Sequence, residues 1–202
     1  FIIVSILLLL SVIPLFFAKK IHAKAKFSIK YIFKKSHFKD LLAFIGYGAG
    51  VDAAAIILPI FIFSIIAHYL YLGAIFSGSS LITVLFTYLI GRSSDSFNKK
   101  TLIRAGSILV ALCWFIFLFA KSAMQLFATV VFFGISFTMV DVPFSAMTYN
   151  KANKSNIVEY LVFREISLCI GRILLFTVVL LTAKLTSGFI FSGITSLFYM
   201  LF

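Results

Sequence analysis

Residues 91–100, G-R-S-S-D-S-F-N-K-K, separate two long apolar stretches of this 202-residue chain. The segment combines turn-forming and charged residues, and the apolar run on either side is long enough to cross a bilayer. A short charged hairpin between two such runs is typical of a loop that joins two membrane-spanning helices. The segment therefore predicts a polytopic helical membrane protein.

The composition of the whole chain agrees with this prediction. Hydrophobic residues make up 62% and charged residues only 12% of the chain, and its mean hydropathy is +1.15, whereas about 25% of the residues in soluble domains are charged. A net charge of +12 would make nucleic acid a candidate partner of a soluble chain. Here the basic residues lie between apolar runs, so we expect the lipid bilayer as partner and no nucleic acid.

Six apolar segments approach the length of a membrane span, and a seventh is incomplete. All should be helices, because a lipid-exposed backbone must satisfy its hydrogen bonds within its own segment. The predicted fold is therefore all-α, a polytopic transmembrane helical bundle with segments 1–18, 41–68, 72–90, 102–120, 124–143, 161–183 and, incomplete, 186–202. Because the sequence starts and stops inside apolar runs, we expect it to be part of a longer protein.

The connections between these segments alternate in basic content. Segments 18–40, 92–104 and 144–164 hold 15 of the 18 basic residues, whereas the connections between them hold only Lys121 and Lys184. The positive-inside rule then places the loops around 19–40, 92–101 and 144–160 in the cytoplasm of a multi-pass cell-membrane protein. The longest of them, 19–40, is either a solvated linker or a basic stretch that lies on an anionic leaflet.

The spacing Gly, three residues, Asp, three residues and two basic residues in 91–100 resembles the cytoplasmic loop signature of the major facilitator superfamily of secondary transporters. The resemblance implies that 41–202 is the C-terminal bundle, helices seven to twelve with the last incomplete. It makes 1–18 the end of helix six and 19–40 the central cytoplasmic linker. It also implies a missing N-terminal six-helix half of the same protein and the transport of a small-molecule substrate by alternating access.

By the same resemblance, the loop acts as a conformational latch through Gly91, Asp95, Lys99 and Lys100. Gly91 is expected to end its helix, pack closely against a neighbour and allow a sharp exit. Ser96 stands where a basic residue is usual, which implies a weaker latch, and Asn98 stands where glycine is usual, as a residue that tolerates the left-handed conformation. The alternative is an ordinary basic turn with Asp95 as a local cap.

Asp52 is the sharpest candidate for a functional site, because it lies about halfway along segment 41–68, where a carboxylate costs several kcal/mol unless it faces protein or water. Three glycines precede it and Pro59 follows, so its helix should be locally unwound or kinked. Arg172, near the middle of segment 161–183, is the second candidate. We expect both to act through charge attraction or proton coupling, and the alternative is a structural role in pairing with another helix.

Glu165 and Asp141 complete the set of candidate residues. Glu165 lies about 10 Å along the helix from Arg172, too far for direct pairing, so each should face another helix or a cavity. Asp141, placed near the cytoplasmic end of segment 124–143, is expected to pair with Arg164 or Arg172. In the alternative interpretation these charges only lock the bundle together.

Other classes of function are less well supported by the residues. No nucleophile–base pair or acidic metal cluster lies in a span, and no histidine has a partner four residues away, so an enzyme, a metal site and a cofactor are not expected. Cys113 and Cys169 lie in apolar spans and should be small core residues. A non-transporting membrane scaffold remains the alternative to a transporter.

Overall fold

The computed structural model describes residues 5–6, 9–13, 37–94 and 98–202, and these ranges are helical and contain no strand. Most of segment 1–18 and of the linker 19–40 lies outside the described residues. The helices are α1 (Phe38–Ile66), α2 (Tyr69–Ser94), α3 (Lys99–Phe117), α4 (Ala123–Asn153), α5 (Ile157–Thr182) and α6 (Leu185–Ser196), the last followed by a 3₁₀ turn, Leu197–Leu201.

Five of these helices, α1 to α5, are long and apolar enough to cross a membrane, and α6 is shorter. The five overlap the segments predicted at 41–68, 72–90, 102–120, 124–143 and 161–183, so the all-helical fold is confirmed for the described residues, with five helices of sufficient length and apolarity at the predicted places. Apolar runs of about 20 residues carry this information without tertiary contacts.

Two predicted helix ends are wrong. Pro143 lies inside α4, which continues to Asn153, although proline removes one backbone hydrogen bond. Pro143 is buried among neighbouring helices, a setting in which the break is tolerated. Gly91 does not end its helix either, because α2 runs on to Ser94, and no described residue outside its own turn of helix approaches within 4 Å of where a Cβ would stand.

Side-chain caps set the starts of three helices. The Asn98 side chain accepts a hydrogen bond from the Lys100 amide at 3.0 Å, and the Asn156 side chain caps α5 in the same way. Ser122 and Gln125 form a capping box at the start of α4. Asn98 has φ −66°, so its predicted left-handed conformation is wrong, and its role in the described structure is that of an N-cap.

Four long helices have ends that meet in one cleft. Lys39 of α1, Lys100 of α3 and Lys151 of α4 line it together, so α1, α3 and α5 begin there and α4 ends there. We call this end of the bundle the basic end. Lys121 and Lys184 precede α4 and α6 at the opposite end.

Close packing of α1 against α5 depends on glycine. A Cβ on Gly48 would overlap the backbone of Leu168, and a Cβ on Gly171 would overlap the carbonyl of Ile45. These reciprocal contacts bring the two backbones together, as small residues do between membrane helices. The glycines before Asp52 therefore allow close contact between helices. From the sequence alone, they are instead explained by local unwinding of the helix.

Aromatic rings fill the remaining space between the helices. Trp114 of α3 stacks on Phe189 of α6 with ring centroids 5.4 Å apart and meets Phe133 of α4 edge-on at 4.9 Å. Cys113 is buried beside Trp114, as predicted, whereas Cys169 is exposed on α5, so its predicted core position is wrong.

Candidate functional site

Asp52 and Arg172 face each other across the contact between α1 and α5. Asp52 Oδ1 lies 3.4 Å from Arg172 Nε. Asp52 is about 21 Å along α1 from Phe38, and Arg172 is about 22 Å along α5 from Ile157, so both lie about midway along their helices. The structure thus brings the two strongest sequence candidates together as one ion pair.

The backbone around the pair is irregular. A π turn, Ala53–Ile57, begins directly after Asp52 and interrupts α1 before the helix resumes at Leu58. Single π turns inside α-helices occur often at functional sites, and they are an identifiable cause of kinks. The predicted irregularity next to Asp52 is therefore present, as a widened turn that keeps the chain helical.

The geometry of this ion pair leaves Arg172 incompletely satisfied. Among the described residues, Arg172 Nε is buried and has no hydrogen-bond partner, although Asp52 is within ion-pair distance. The Arg172 side chain is 39% exposed and the Asp52 side chain 20%. A pair that served only to hold two helices together would be expected to use aligned, charge-assisted hydrogen bonds. In this pair, the N–H group of Arg172 Nε donates no hydrogen bond to any described residue.

Asp141 has a different partner from the one predicted. Its Oδ1 accepts a hydrogen bond from the Tyr47 hydroxyl of α1, whose ring stacks on Phe144 at 4.9 Å. Within the described residues, Asp141 forms no ion pair with Arg164 or Arg172. Because α4 extends beyond Pro143 to Asn153, Asp141 lies about 18 Å from the end of its helix. Its hydrogen-bond partner is therefore Tyr47, which packs beside it from α1.

Glu165 takes no part in this site. It pairs with Arg164, its neighbour on α5, at 2.9 Å, and its side chain is 57% exposed. The expectation that Glu165 pairs with another helix is therefore wrong, because its ion pair lies within α5. The corresponding expectation for Arg172 is confirmed by its contact with Asp52.

The sequence does not indicate a polar cluster at the basic end, which consists of Asp40, Lys151 and Tyr160. Asp40, in the first turn of α1, is buried and accepts from Lys151 Nζ at 2.6 Å and from the Tyr160 hydroxyl at 3.1 Å. An acidic residue at the very start of an apolar helix was the available signal, because that position favours negative charge. The sequence could not indicate that partners from α4 and α5 converge on it.

The latch residues are described only in part. Asp95 lies outside the described residues, so its predicted interaction has no structural counterpart here. Lys99 and Lys100 lie in the first turn of α3, and Gly91 lies within α2, where it has no close neighbour among the residues that the structure describes.

An apolar cavity of about 340 Å³ borders the π turn through Ala54 and Leu58. Its other walls come from α2 and α4, where the hydroxyls of Ser79, Ser80 and Thr83 bond to carbonyls of their own helix. The cavity therefore offers apolar contact beside the irregular turn. No group of three or more potential metal ligands occurs within the described part of the chain.

Within the described ranges, the fold and the site define a helical protein with five helices long and apolar enough to cross a membrane and an ion pair about midway along two of them. No protein-family model, curated protein or solved structure matches this chain.

Proposed function

We propose that this chain is the C-terminal half of a secondary transporter of the major facilitator type, which moves a small solute by alternating access. The observation that carries the proposal is the Asp52–Arg172 pair, an incompletely satisfied ion pair midway along two packed helices and next to a π turn. Substrate and coupling-ion sites of transporters lie near the bilayer midplane beside interrupted helices. Ionisable residues in spans also mark substrate and ion paths in general.

The geometry of the pair allows two kinds of coupling. An anionic group on a solute can displace Asp52 as the partner of Arg172 without breaking a hydrogen bond to Nε, because that atom has no acceptor among the described residues. Alternatively, a proton on Asp52 removes one charge of the pair and frees Arg172. In either case the contact between α1 and α5 changes when the site is occupied, which is the requirement for a ligand that shifts a conformational equilibrium.

The proposal also assigns the basic loops to one side of the membrane and gives the bundle a partner. The loops at 19–40, 92–101 and 144–160 face the cytoplasm of a multi-pass cell-membrane protein, because they hold most of the basic residues. The N-terminal six-helix half implied by the resemblance supplies the other wall of the site. The loop containing Gly91, Asp95, Lys99 and Lys100 acts as the latch between conformations.

A non-transporting scaffold is the second candidate, and one observation favours it. The backbone contacts at Gly48 and Gly171 hold α1 against α5, as a rigid bundle would require. In a scaffold, the ion pair between the same two helices would be a further structural contact. The two functions differ in whether water reaches the pair.

Cys169 is a natural reporter for this difference. It lies three residues before Arg172 on α5 and is exposed. A charged, membrane-impermeant thiol reagent reacts with a cysteine only where water reaches it. For a transporter, we expect Cys169 to be labelled both in right-side-out and in inside-out membrane vesicles. The reason is that the outward-open and inward-open conformations of a transporter expose its central site to opposite sides of the membrane. The Cys169→Ser variant measures background labelling at Cys113.

Labelling from neither side would place Cys169 against lipid or packed protein and would favour the scaffold. Labelling from one side only would contradict alternating access while leaving a water-filled cavity. A matched control, Leu174→Cys on the Cys169→Ser background, reports an exposed position two residues beyond Arg172. Because Leu174 is turned about 200° around α5 from Arg172, we expect this cysteine to remain unlabelled from either side.

A further inference from the structure

The cleft at the basic end has the volume and charge of an anion-binding site. It encloses about 480 Å³, and its walls come from the starts of α1, α3 and α5 and from the end of α4. The residues that carry its polar chemistry are Lys39, Asp40, Lys100, Lys151, Lys154 and Tyr160. Four lysines against one aspartate leave three positive charges in excess.

One lysine in the cleft is already neutralised. Lys151 Nζ lies 2.6 Å from Asp40 Oδ1, and the Tyr160 hydroxyl donates to the other carboxylate oxygen of Asp40. Lys151 also lies over the ring of Phe202, 3.6 Å from its centroid. Asp40 is thus fully engaged, and it fixes Lys151 at the base of the cleft without offsetting the other cations.

The remaining lysines have no acidic partner within the described residues. Lys39 lies in α1, Lys100 lies in α3 and Lys154 is the C-cap residue of α4. None of the three forms an ion pair in the described part of the chain. Bringing three like charges to one cleft is unfavourable unless an anion or water screens them. An anion bound between the three lysines would lower this repulsion.

The position of the cleft decides which anion fits. It lies where apolar helices long enough to cross a membrane meet their polar connections, which is the depth of lipid phosphates. Basic pockets between membrane helices bind anionic headgroups at this level. The ring of Tyr160 and the side chain of Leu201 provide apolar wall beside the lysines.

We propose that this cleft binds the phosphate headgroup of one anionic phospholipid, held by Lys39, Lys100 and Lys154. The proposal does not depend on transport, because it concerns the basic end and not the Asp52–Arg172 pair. Each lysine near an anionic surface contributes about 1 kcal/mol, which corresponds to about a fivefold change in affinity. Lys151 is left out of the test because its removal would strand Asp40.

The experiment measures binding of phosphatidylglycerol to the protein in neutral detergent by native mass spectrometry. We expect one saturable lipid, with phosphatidylcholine bound far more weakly. Lys100→Gln and Lys154→Gln should each weaken phosphatidylglycerol binding about fivefold. Lys99→Gln is the matched control, since it removes the same charge one residue away, outside the cleft lining, and it should leave the affinity unchanged.

Two outcomes would overturn the proposal. If Lys99→Gln weakens binding as much as Lys100→Gln, the attraction is diffuse charge and the cleft is not a site. If glycerol phosphate alone displaces the lipid at millimolar concentration, the cleft recognises a soluble phosphate and the lipid assignment is wrong. Melting temperatures of the three variants, measured in parallel, should match the unmodified protein, because all three lysines lack ion pairs among the described residues.

Discussion

Removing one charge of the Asp52–Arg172 pair separates a role in transport from a role in packing. Two unit charges 3.4 Å apart attract by about 5 kcal/mol at an effective dielectric constant of 20. If the pair is closed off from water, Asp52→Asn strands Arg172 and costs about 3 to 5 kcal/mol. If water reaches the pair, solvent compensates the remaining charge and the cost falls below about 1 kcal/mol. We expect the smaller cost, because the Arg172 side chain is 39% exposed and Nε makes no aligned hydrogen bond in the described structure.

The assay combines thermal unfolding in detergent with solute uptake in proteoliposomes for Asp52→Asn, Arg172→Gln and the double variant. For a chain of this size, a change of 1 kcal/mol shifts the melting temperature by about 2 to 4 °C. We therefore expect shifts below about 4 °C together with loss of uptake. Arg164→Gln, at an exposed pair on the same helix, controls for loss of charge alone.

The opposite pattern would refute this reasoning. If each single variant lowers the melting temperature by about 6 °C or more and the double variant recovers most of it, the two residues form a structural pair. Uptake would then be lost through unfolding, and the proposal that the pair lines a substrate path would have to be abandoned.

Three further predictions concern topology, the latch and helix packing. An impermeant thiol reagent added to intact cells should label Ser187→Cys and leave Ser155→Cys unmodified, and the reverse pattern would invert the assigned orientation. Asp95→Ala should slow uptake with no loss of inserted protein, and unchanged turnover would reduce 91–100 to a plain turn. Gly171→Leu should lower the melting temperature strongly, because its side chain would overlap the Ile45 carbonyl, whereas Gly91→Ala, in an open helical position, should raise stability by up to about 1 kcal/mol. Equal effects of the two glycine substitutions would contradict the packing of α1 on α5.

Helix number and approximate position could be predicted because each span is a local property of the sequence. The ends were less predictable. Pro143 is normally a terminator, but in α4 its surroundings keep the helix continuous to Asn153. Asn98 was interpreted through the glycine usual in the resembling family, whereas its side chain caps α3. Both errors arise because a residue type permits several local structures and the neighbouring chain selects one.

The candidate site was predictable residue by residue but not in its pairing. A charge in an apolar span is visible in the sequence, which is why Asp52, Asp141 and Arg172 were singled out. Tyr47 gave no such signal, since a tyrosine in an apolar run is common. Its hydrogen bond to Asp141 depends on where α4 lies against α1.

The sequence by itself determined that the described residues are helical, that five of their helices are long and apolar enough to cross a membrane, and which connections carry the basic charge. These properties follow from hydropathy and composition over windows of about 20 residues, in which backbone hydrogen bonds close locally. Only the tertiary structure decided that Arg172 pairs with Asp52, that Tyr47 takes Asp141, and that lysines from three helices meet in one cleft. Such pairings depend on how helices distant in sequence rotate and approach, and glycine contacts such as those of Gly48 and Gly171 set that approach.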